Sequence, residues 1–296
     1  MSLGNGSDME TLEYVNKYNP PIDVVAAENN LKEAKQIMDR LGVVFLLGSG
    51  TCLGATRDNA LIPWDDDVDL ISVIGVNGLT GESMAGIEEA FRHKGFVARE
   101  LPGNHAQALQ TMKDYVRVTW ECMYVDDAVI NIYPGIEIPA DMFTRPKEIE
   151  FLGEQFFVPN PPEEYLRLKY GPEWTAPRKP GVYEKDVVEK IPDATLIGRP
   201  STLRVLDHEG KPVPEAEVAL VGGGRSKTDQ RGYTEIILPG PDWYAMVIKY
   251  PGHEEVLYME ELEPDKAYVY RADTASNAAS QASGAIGTLG NILSLE

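Results

Sequence analysis

The chain has 296 residues, of which 27 are Lys or Arg and 47 are Asp or Glu, giving a formal net charge of -20. So large an acidic excess excludes nonspecific attraction to nucleic acid or anionic membrane, and a hydrophobic fraction of 43% excludes global disorder. No apolar run approaches the roughly 20 residues of a membrane-crossing helix, and no basic-then-apolar leader opens the chain, so no membrane span and a cytoplasmic setting are expected.

Met1 to Gly6 reads as a leader or tag, and residues 1–22 as an N-terminal extension. Ala27, Leu31, Ala34, Ile37, Met38 and Leu41 then recur at helical spacing, with Asp23 placed to cap the helix and Gly42 to stop it. Val43-Val44-Phe45-Leu46-Leu47 is a continuous apolar run of strand length. It ends in Gly48-Ser49-Gly50, after which Thr51 to Arg57 predicts a short helix and Trp64 to Ile71 a second strand. Met84, Ile87 and Phe91 mark another helix that Gly95 ends, and Phe96–Arg99, Tyr115–Trp120 and Ala128–Tyr133 are strand-prone. Helices interleaved with strands, some of them adjacent, predict a mixed sheet with flanking helices over residues 23–195.

Beyond residue 196 the helical period disappears. Leu203–Leu206, Glu217–Val221, Thr234–Leu238, Tyr244–Ile248, Glu255–Tyr258 and Ala267–Tyr270 are short strands parted by turns such as Gly222-Gly223-Gly224 and Pro239-Gly240-Pro241-Asp242. This spacing predicts a small all-β sandwich over 196–273, so the fold class expected for the whole chain is α+β. The linker falls at Pro192 to Pro200, and residues 274–296 form an Ala/Ser/Gly-rich tail whose last apolar residues are candidates for packing.

Chemistry concentrates in Ile62-Pro63-Trp64-Asp65-Asp66-Asp67-Val68-Asp69-Leu70. On an extended segment side chains alternate, so Asp65, Asp67 and Asp69 would share one face and Asp66 and Val68 the other. Carboxylates converging on one point repel unless a cation lies between them, and an all-oxygen donor set suits Mg²⁺ or Mn²⁺. The glycine turn is neither a Walker loop nor a dinucleotide fingerprint, since no Gly-Lys-Ser/Thr closes it and Gly48-x-Gly50-x-x-x-Gly54 misses the spacing by one residue. Its backbone N–H groups at a helix start are nevertheless suited to phosphate oxygens. The two cysteines, Cys52 and Cys122, read as buried thiols rather than a disulfide, and the four scattered histidines lack zinc spacing.

At these residues the sequence resembles the LicD/fukutin-related family of the nucleotidyltransferase superfamily. The resemblance rests on Gly54-Ala55-x-Arg57 and Ile62 to Asp69, with a second block at Phe157-Val158-Pro159, Tyr165-Leu166, Tyr170-Gly171, Trp174 and Pro177. It implies transfer of a phosphorylated alcohol, phosphocholine or a polyol phosphate, from a CDP-activated donor to a carbohydrate acceptor. It also implies Asp67 and Asp69 as metal ligands with Asp65 as a third, Gly48 and Ser49 as phosphate contacts, and Arg57 as a neutralising group. One departure stands out: where the family carries a further aspartate in an Asp-Ile-Phe-Pro-like motif, this chain has Asn131-Ile132-Tyr133-Pro134. Asparagine can ligate a cation but cannot act as a general base. Either Asp65 supplies the missing charge, Asp126 or Asp127 approaches, or catalysis is impaired. In the second block, Tyr165, Leu166, Leu168, Tyr170 and Trp174 suit helix packing, while Lys169 and Arg167 suit either a phosphate or the surface. Gly210-Lys211-Pro212-Val213-Pro214-x-Ala216-x-Val218 and Thr228-Asp229-x-x-Gly232 resemble a carboxypeptidase regulatory-like or transthyretin-like sandwich. The alternatives to a CDP-dependent transferase are a catalytically degenerate binding protein and a nucleotidyltransferase using a nucleoside triphosphate.

Overall fold

The computed structural model describes residues 6–101, 106–178, 185–272, 287–288 and 292–296. The chain divides into two units: Met1–Ile132 with Ile136–Pro177, and Tyr133–Gly135 with Arg178–Glu296. The first unit thus takes in the N-terminal residues placed outside the expected 23–195 domain and ends before the expected linker at Pro192 to Pro200. Residues 1–5 of the leader, and 273–286 and 289–291 of the tail, lie outside the described residues.

The first unit runs α1 (Met9–Tyr18), α2 (Val24–Leu41), β1 (Leu46–Leu47), α3 (Ser49–Arg57), β2 (Asp67–Val73), α4 (Met84–His93), β3 (Val97–Leu101), β4 (Ala106–Lys113), β5 (Val116–Met123), β6 (Val129–Ile132), β7 (Ile136–Pro139), α5 (Asp141–Thr144), β8 (Lys147–Phe151), β9 (Glu154–Val158) and α6 (Pro162–Tyr170). Seven strands form one mixed sheet in the order β3-β4-β5-β2-β1-β9-β8, and β6 and β7 form a separate two-stranded sheet. The order places β2 at the centre, parallel to β5 and antiparallel to β1. A central strand is covered on both faces, which is why Val68, Leu70, Ile71, Ser72 and Val73 are all buried.

Local chemistry accounts for the helices. The Asp23 carboxylate accepts the Ala26 N–H at 3.0 Å, Gly42 takes the left-handed conformation with φ 69°, and Ala27, Leu31, Ala34, Ile37 and Met38 form the buried stripe between them. Helix α1 was expected to be part of an extension, yet Leu12 and Val15 are buried against Met112, with Val97 beside them. Burying two such side chains is worth about 1.5–3 kcal/mol each, enough to hold a short helix that would be marginal alone. Where a strand was expected over Val43–Leu47, only Leu46 and Leu47 pair. Val44 instead offers its carbonyl to the Ser72 hydroxyl at 2.7 Å, and that hydroxyl accepts the Trp120 indole N–H at 2.8 Å.

The second unit contains α7 (Lys185–Val188), β10 (Arg199–Leu206), β11 (Glu217–Leu220), β12 (Arg225–Lys227), β13 (Tyr233–Leu238), β14 (Asp242–Tyr250), β15 (His253–Leu262), β16 (Ala267–Arg271), β17 (Gly287–Thr288) and β18 (Ser294–Leu295). They make two sheets, β13-β10-β16-β18 and β12-β11-β14-β15-β17. Leu203, Val205, Ile236, Leu238 and Tyr270 from the first meet Val218, Leu220, Met246, Ile248 and Leu257 from the second in one core, the packing of a β-sandwich. The end of the tail is ordered: β18 pairs with β16 and Leu293 is buried in that core. The overall class is α+β, a mixed sheet with flanking helices followed by all-β sheets.

Candidate active site

Strand β2 begins at Asp67, so only Asp67 and Asp69 obey the alternation read from the sequence. Asp65 and Asp66 precede the strand, beyond a turn in which the Asp65 N–H meets the Ile62 carbonyl at 3.1 Å. The consequence is a different grouping: one carboxylate oxygen each from Asp65, Asp66 and Asp67 lies within 4.8 Å of the others. Asp66, expected on the opposite face, therefore joins the cluster. Its carboxylate pairs with Arg117, the β5 residue opposite Asp67 at the start of the strand pairing. The buried Arg117 guanidinium also donates to the Asn16 side chain at 2.7 Å, tying α1 to the acidic cluster.

Asp69 stands one strand repeat further, and its charge bears on Asp65 and Asp67. Its carboxylate accepts the Gly50 N–H at 3.0 Å, and its own N–H donates to the Thr51 hydroxyl at 2.8 Å. Asp67 accepts from the Thr119 hydroxyl at 2.7 Å. These few donors do not offset the crowding. Burial, then the charge of Asp69, pushes Asp65 and Asp67 well above the usual carboxylate range. Asp69 itself is pushed up to about 7 by burial, then by Glu121 and Asp66, with Lys169 and the Gly50 N–H pulling the other way.

The glycine turn has a structural cause distinct from phosphate recognition. A Cβ on Gly50 would lie 2.0 Å from an Asp65 carboxylate oxygen, and one on Gly48 would lie 2.7 Å from the Ile71 side chain. Glycine at these positions lets the aspartates and the central strand approach the start of α3. The amides expected to hold phosphate are engaged within the chain: Gly48 N–H to the Asp69 carbonyl, Ser49 N–H to the Tyr165 hydroxyl and Gly50 N–H to the Asp69 carboxylate, each at 3.0 Å. Ser49 has φ 31°, in the left-handed region that side chains seldom adopt, which marks the turn as locally constrained.

Arg57 is not brought to the aspartates. It closes the nine-residue α3 at the end away from Gly48, about 12 Å along the axis, with its guanidinium on the Asp58 carboxylate at 2.6 Å. Asn131 lies half-buried on β6, opposite Glu137 of β7, in the hairpin outside the seven-stranded sheet. Asp126 and Asp127 are exposed on the turn before β6. The carboxylate missed in the sequence is Glu121, half-buried on β5 next to β2 and the foremost charge acting on Asp69. The strand-prone run Tyr115–Trp120 stopped one residue short of it, and only the parallel pairing of β5 with β2 reveals the juxtaposition.

The second block has two halves. Tyr165 and Leu166 are buried in the core as packing residues, though the Tyr165 hydroxyl also reaches the glycine turn. Arg167 pairs with Glu164 on the surface, whereas Lys169 is buried and acts on Asp69. Cys52 and Cys122 are free, buried thiols. Among the described residues no helix is long and apolar enough to cross a membrane.

The resemblance carried by the acidic block holds on comparison with known proteins. Residues 42–161 match the family model described as LicD/FKTN/FKRP, nucleotidyltransferase domain. The proteins called Ribitol 5-phosphate transferase FKRP from Mus musculus and Homo sapiens are each 25% identical over 168 residues, covering 54% of this chain and 34% of the relative. The chain thus spans about a third of the length of the curated relatives it matches. A crystal structure of ANT(2")-Ia in complex with adenylyl-2"-tobramycin aligns with a TM-score of 0.32 and 16% identity, over 45% of this chain and 68% of that one.

Proposed function

From a nucleotidyltransferase domain of the LicD/FKTN/FKRP type at residues 42–161, we propose that the chain transfers a phosphorylated alcohol from a CDP-activated donor to a glycan acceptor, with Mg²⁺ or Mn²⁺ as cofactor. The observation that carries this reading is the crowding of Asp65, Asp66, Asp67 and Asp69, with burial and mutual repulsion raising the proton affinity of three of them. An all-oxygen, strongly negative donor set fits a hard divalent cation. Asp65, Asp67 and Asp69 would hold it, while Arg117 neutralises Asp66. When bound, such an ion supplies charge neutralisation at the donor's phosphates. The named FKRP relatives are ribitol 5-phosphate transferases, which supports a polyol phosphate as the transferred group.

The chain's own residues supply the rest. An acceptor hydroxyl attacks the β-phosphorus, a new phosphodiester bond forms, the bond to the α-phosphate oxygen breaks, and CMP leaves. Glu121 takes the hydroxyl proton, filling the general-base role that Asn131 cannot serve. The closed glycine turn fixes Asp65 and Asp69 in place, so the site is organised before substrate arrives. Incubating the chain with Mg²⁺ and CDP-ribitol, CDP-choline, CTP or ATP, with and without glycan, tests the reading. CMP release from one CDP-alcohol, stimulated by acceptor, is the expected result; product from a nucleoside triphosphate alone would replace it with nucleotidyl transfer. Glu121→Gln should lower kcat on the order of 10²-fold while leaving CDP affinity intact.

Asn131 supports a second reading, a transferase fold retained for binding. Calorimetry separates the two, since a degenerate site takes up neither Mg²⁺ nor CDP.

A further inference from the structure

We infer that α1 sets the acidic turn of this site in place, with Asn16 as a positioning residue that acts on Asp66 through Arg117. The inference rests on the metal-dependent reading above and extends the site to residues outside the matched 42–161.

Asp65 and Asp66 precede β2 and lie outside its pairing with β5, whereas a metal site needs its oxygens held before the ion arrives. The N-terminal segment supplies two restraints. The first is direct, from the Ile22 N–H to the Asp65 carbonyl at 2.9 Å. The second runs through Arg117. Its Nη2 donates to the Asp66 carboxylate and, at 3.2 Å, to the Asp66 carbonyl, while its Nη1 donates to the Asn16 side-chain oxygen at 2.7 Å. Asn16 is held in turn. Its side-chain N–H donates at 2.8 Å to the Gln110 side-chain oxygen, which also accepts the Arg99 Nε–H at 3.0 Å. The Asn16 amide thus faces a donor on one side and an acceptor on the other, and only one of its two orientations satisfies both. Leu12 and Val15, on the same face of α1, are buried against Met112 and fix the helix from which Asn16 reaches out.

Arg117 has few other holds. It is buried, and among the described residues its Nε has no hydrogen-bond partner. Without the Asn16 oxygen the guanidinium keeps only Asp66, and it stands opposite Asp67 in the pairing of β5 with β2. A guanidinium loosened there is drawn toward the Asp67 carboxylate, where it competes with the divalent ion. Held between Asn16 and Asp66, it leaves Asp67 to the ion.

The test is calorimetric titration of the full chain with Mg²⁺ and Mn²⁺ near pH 7, arranged as a double-mutant cycle of Asn16→Leu and Arg117→Met. Asn16→Leu should weaken both ions about tenfold. Asn16→Asp, which keeps an acceptor for Arg117, should retain most of the wild-type affinity. In the Arg117→Met background Asn16→Leu should change the affinity by less than about twofold, because the residue acts through the guanidinium. Melting curves confirm that each variant is folded. Gln110→Met, which removes the oxygen that orients Asn16, replaces Asn16→Leu if that one is not, with a loss of several-fold expected; Arg117→Gln likewise replaces Arg117→Met. Wild-type ion affinity in Asn16→Leu would overturn the inference and leave the metal-dependent reading standing. So would a loss that persists undiminished in the Arg117→Met background, or one that Asn16→Asp does not relieve, since either would make Asn16 a packing contact of α1 alone. A wild type that takes up neither ion would refute the metal-dependent reading and the inference with it.

Discussion

Both units bring carboxylates together, and they treat them differently. In the sandwich, Glu255 accepts from the Tyr270 hydroxyl, and Glu260 accepts the Ile292 N–H at 2.9 Å and the Leu293 N–H at 3.0 Å. Each acid there has donors of its own, and the acids serve the structure: Glu260 fastens the end of the tail beside the core that buries Leu293. Even so, burial raises Glu260 to about 7, with the two amides pulling it back. In the first unit Asp65, Asp66 and Asp67 bring carboxylate oxygens within 4.8 Å of one another, Asp66 pairs with Arg117, and Glu121 and Lys169 act on Asp69 with opposite sign. Both sets of acids have donors, so what sets the first apart is its density: four aspartates within five positions, whose charges raise Asp65, Asp67 and Asp69, point to a ligand of opposite charge.

The contrast can be broken most sharply at the first cluster. Asp67→Asn and Asp69→Asn should each lower CMP release on the order of 10²- to 10³-fold. The melting temperature should hold or rise, because each change removes a repelling charge. A melting temperature lowered by many degrees would make these aspartates structural, like Glu260. Gly50→Ala comes next. Its Cβ would lie 2.0 Å from an Asp65 carboxylate oxygen, the end of a flexible side chain that can swing aside, so stability should change little while about tenfold in divalent-ion affinity is expected to go. Equilibrium urea unfolding and ion titration would read both.

In the second unit, Glu260→Ala leaves two amides without their acceptor and should cost about 1–3 kcal/mol of unfolding free energy. Divalent-ion binding should not change, and weaker binding would erase the distinction between the two groups of acids. The smallest effect is the pH dependence of the ion-free protein. Asp69 titrates at about 7 in the folded chain against an ordinary value of 3.8. Between those values the folded state keeps a proton that the unfolded chain has lost, so stability falls as pH rises from about 4 through about 7. Melting at pH 5 and 7.5 should show a drop of a few degrees. Mg²⁺ should restore more of it at 7.5, and Asp69→Asn should flatten the slope.

Much of this was legible in the sequence. Asp23 and Gly42 delimit α2 as their capping chemistry dictates, and β10, β11, β13, β14, β15 and β16 fall on the short strand-like runs of the sequence, whereas β12, β17 and β18 do not. The acidic block was identified, but its grouping was not, because alternation holds only inside a strand and the strand starts at Asp67. Helix α1 was hidden because its stability comes from burying Leu12 and Val15 on a distant strand. Glu121 was beyond reach for a related reason, since strand pairing brings it beside β2 and leaves no local mark in the chain. Lys169 suited either a phosphate or the surface by sequence, and only the packing of α6, which buries it, decides against the surface.

The central claim is that the acidic cluster of the first unit is built for a cation. Its most direct test is calorimetric titration of the wild type, Asp67→Asn and Asp69→Asn with Mg²⁺ and Mn²⁺ near pH 7, in two buffers of different ionisation enthalpy. Saturable binding by the wild type, with protons released and with affinity reduced at least about tenfold in both variants, is the predicted result. No binding by the wild type, or equal binding by all three proteins, would contradict it.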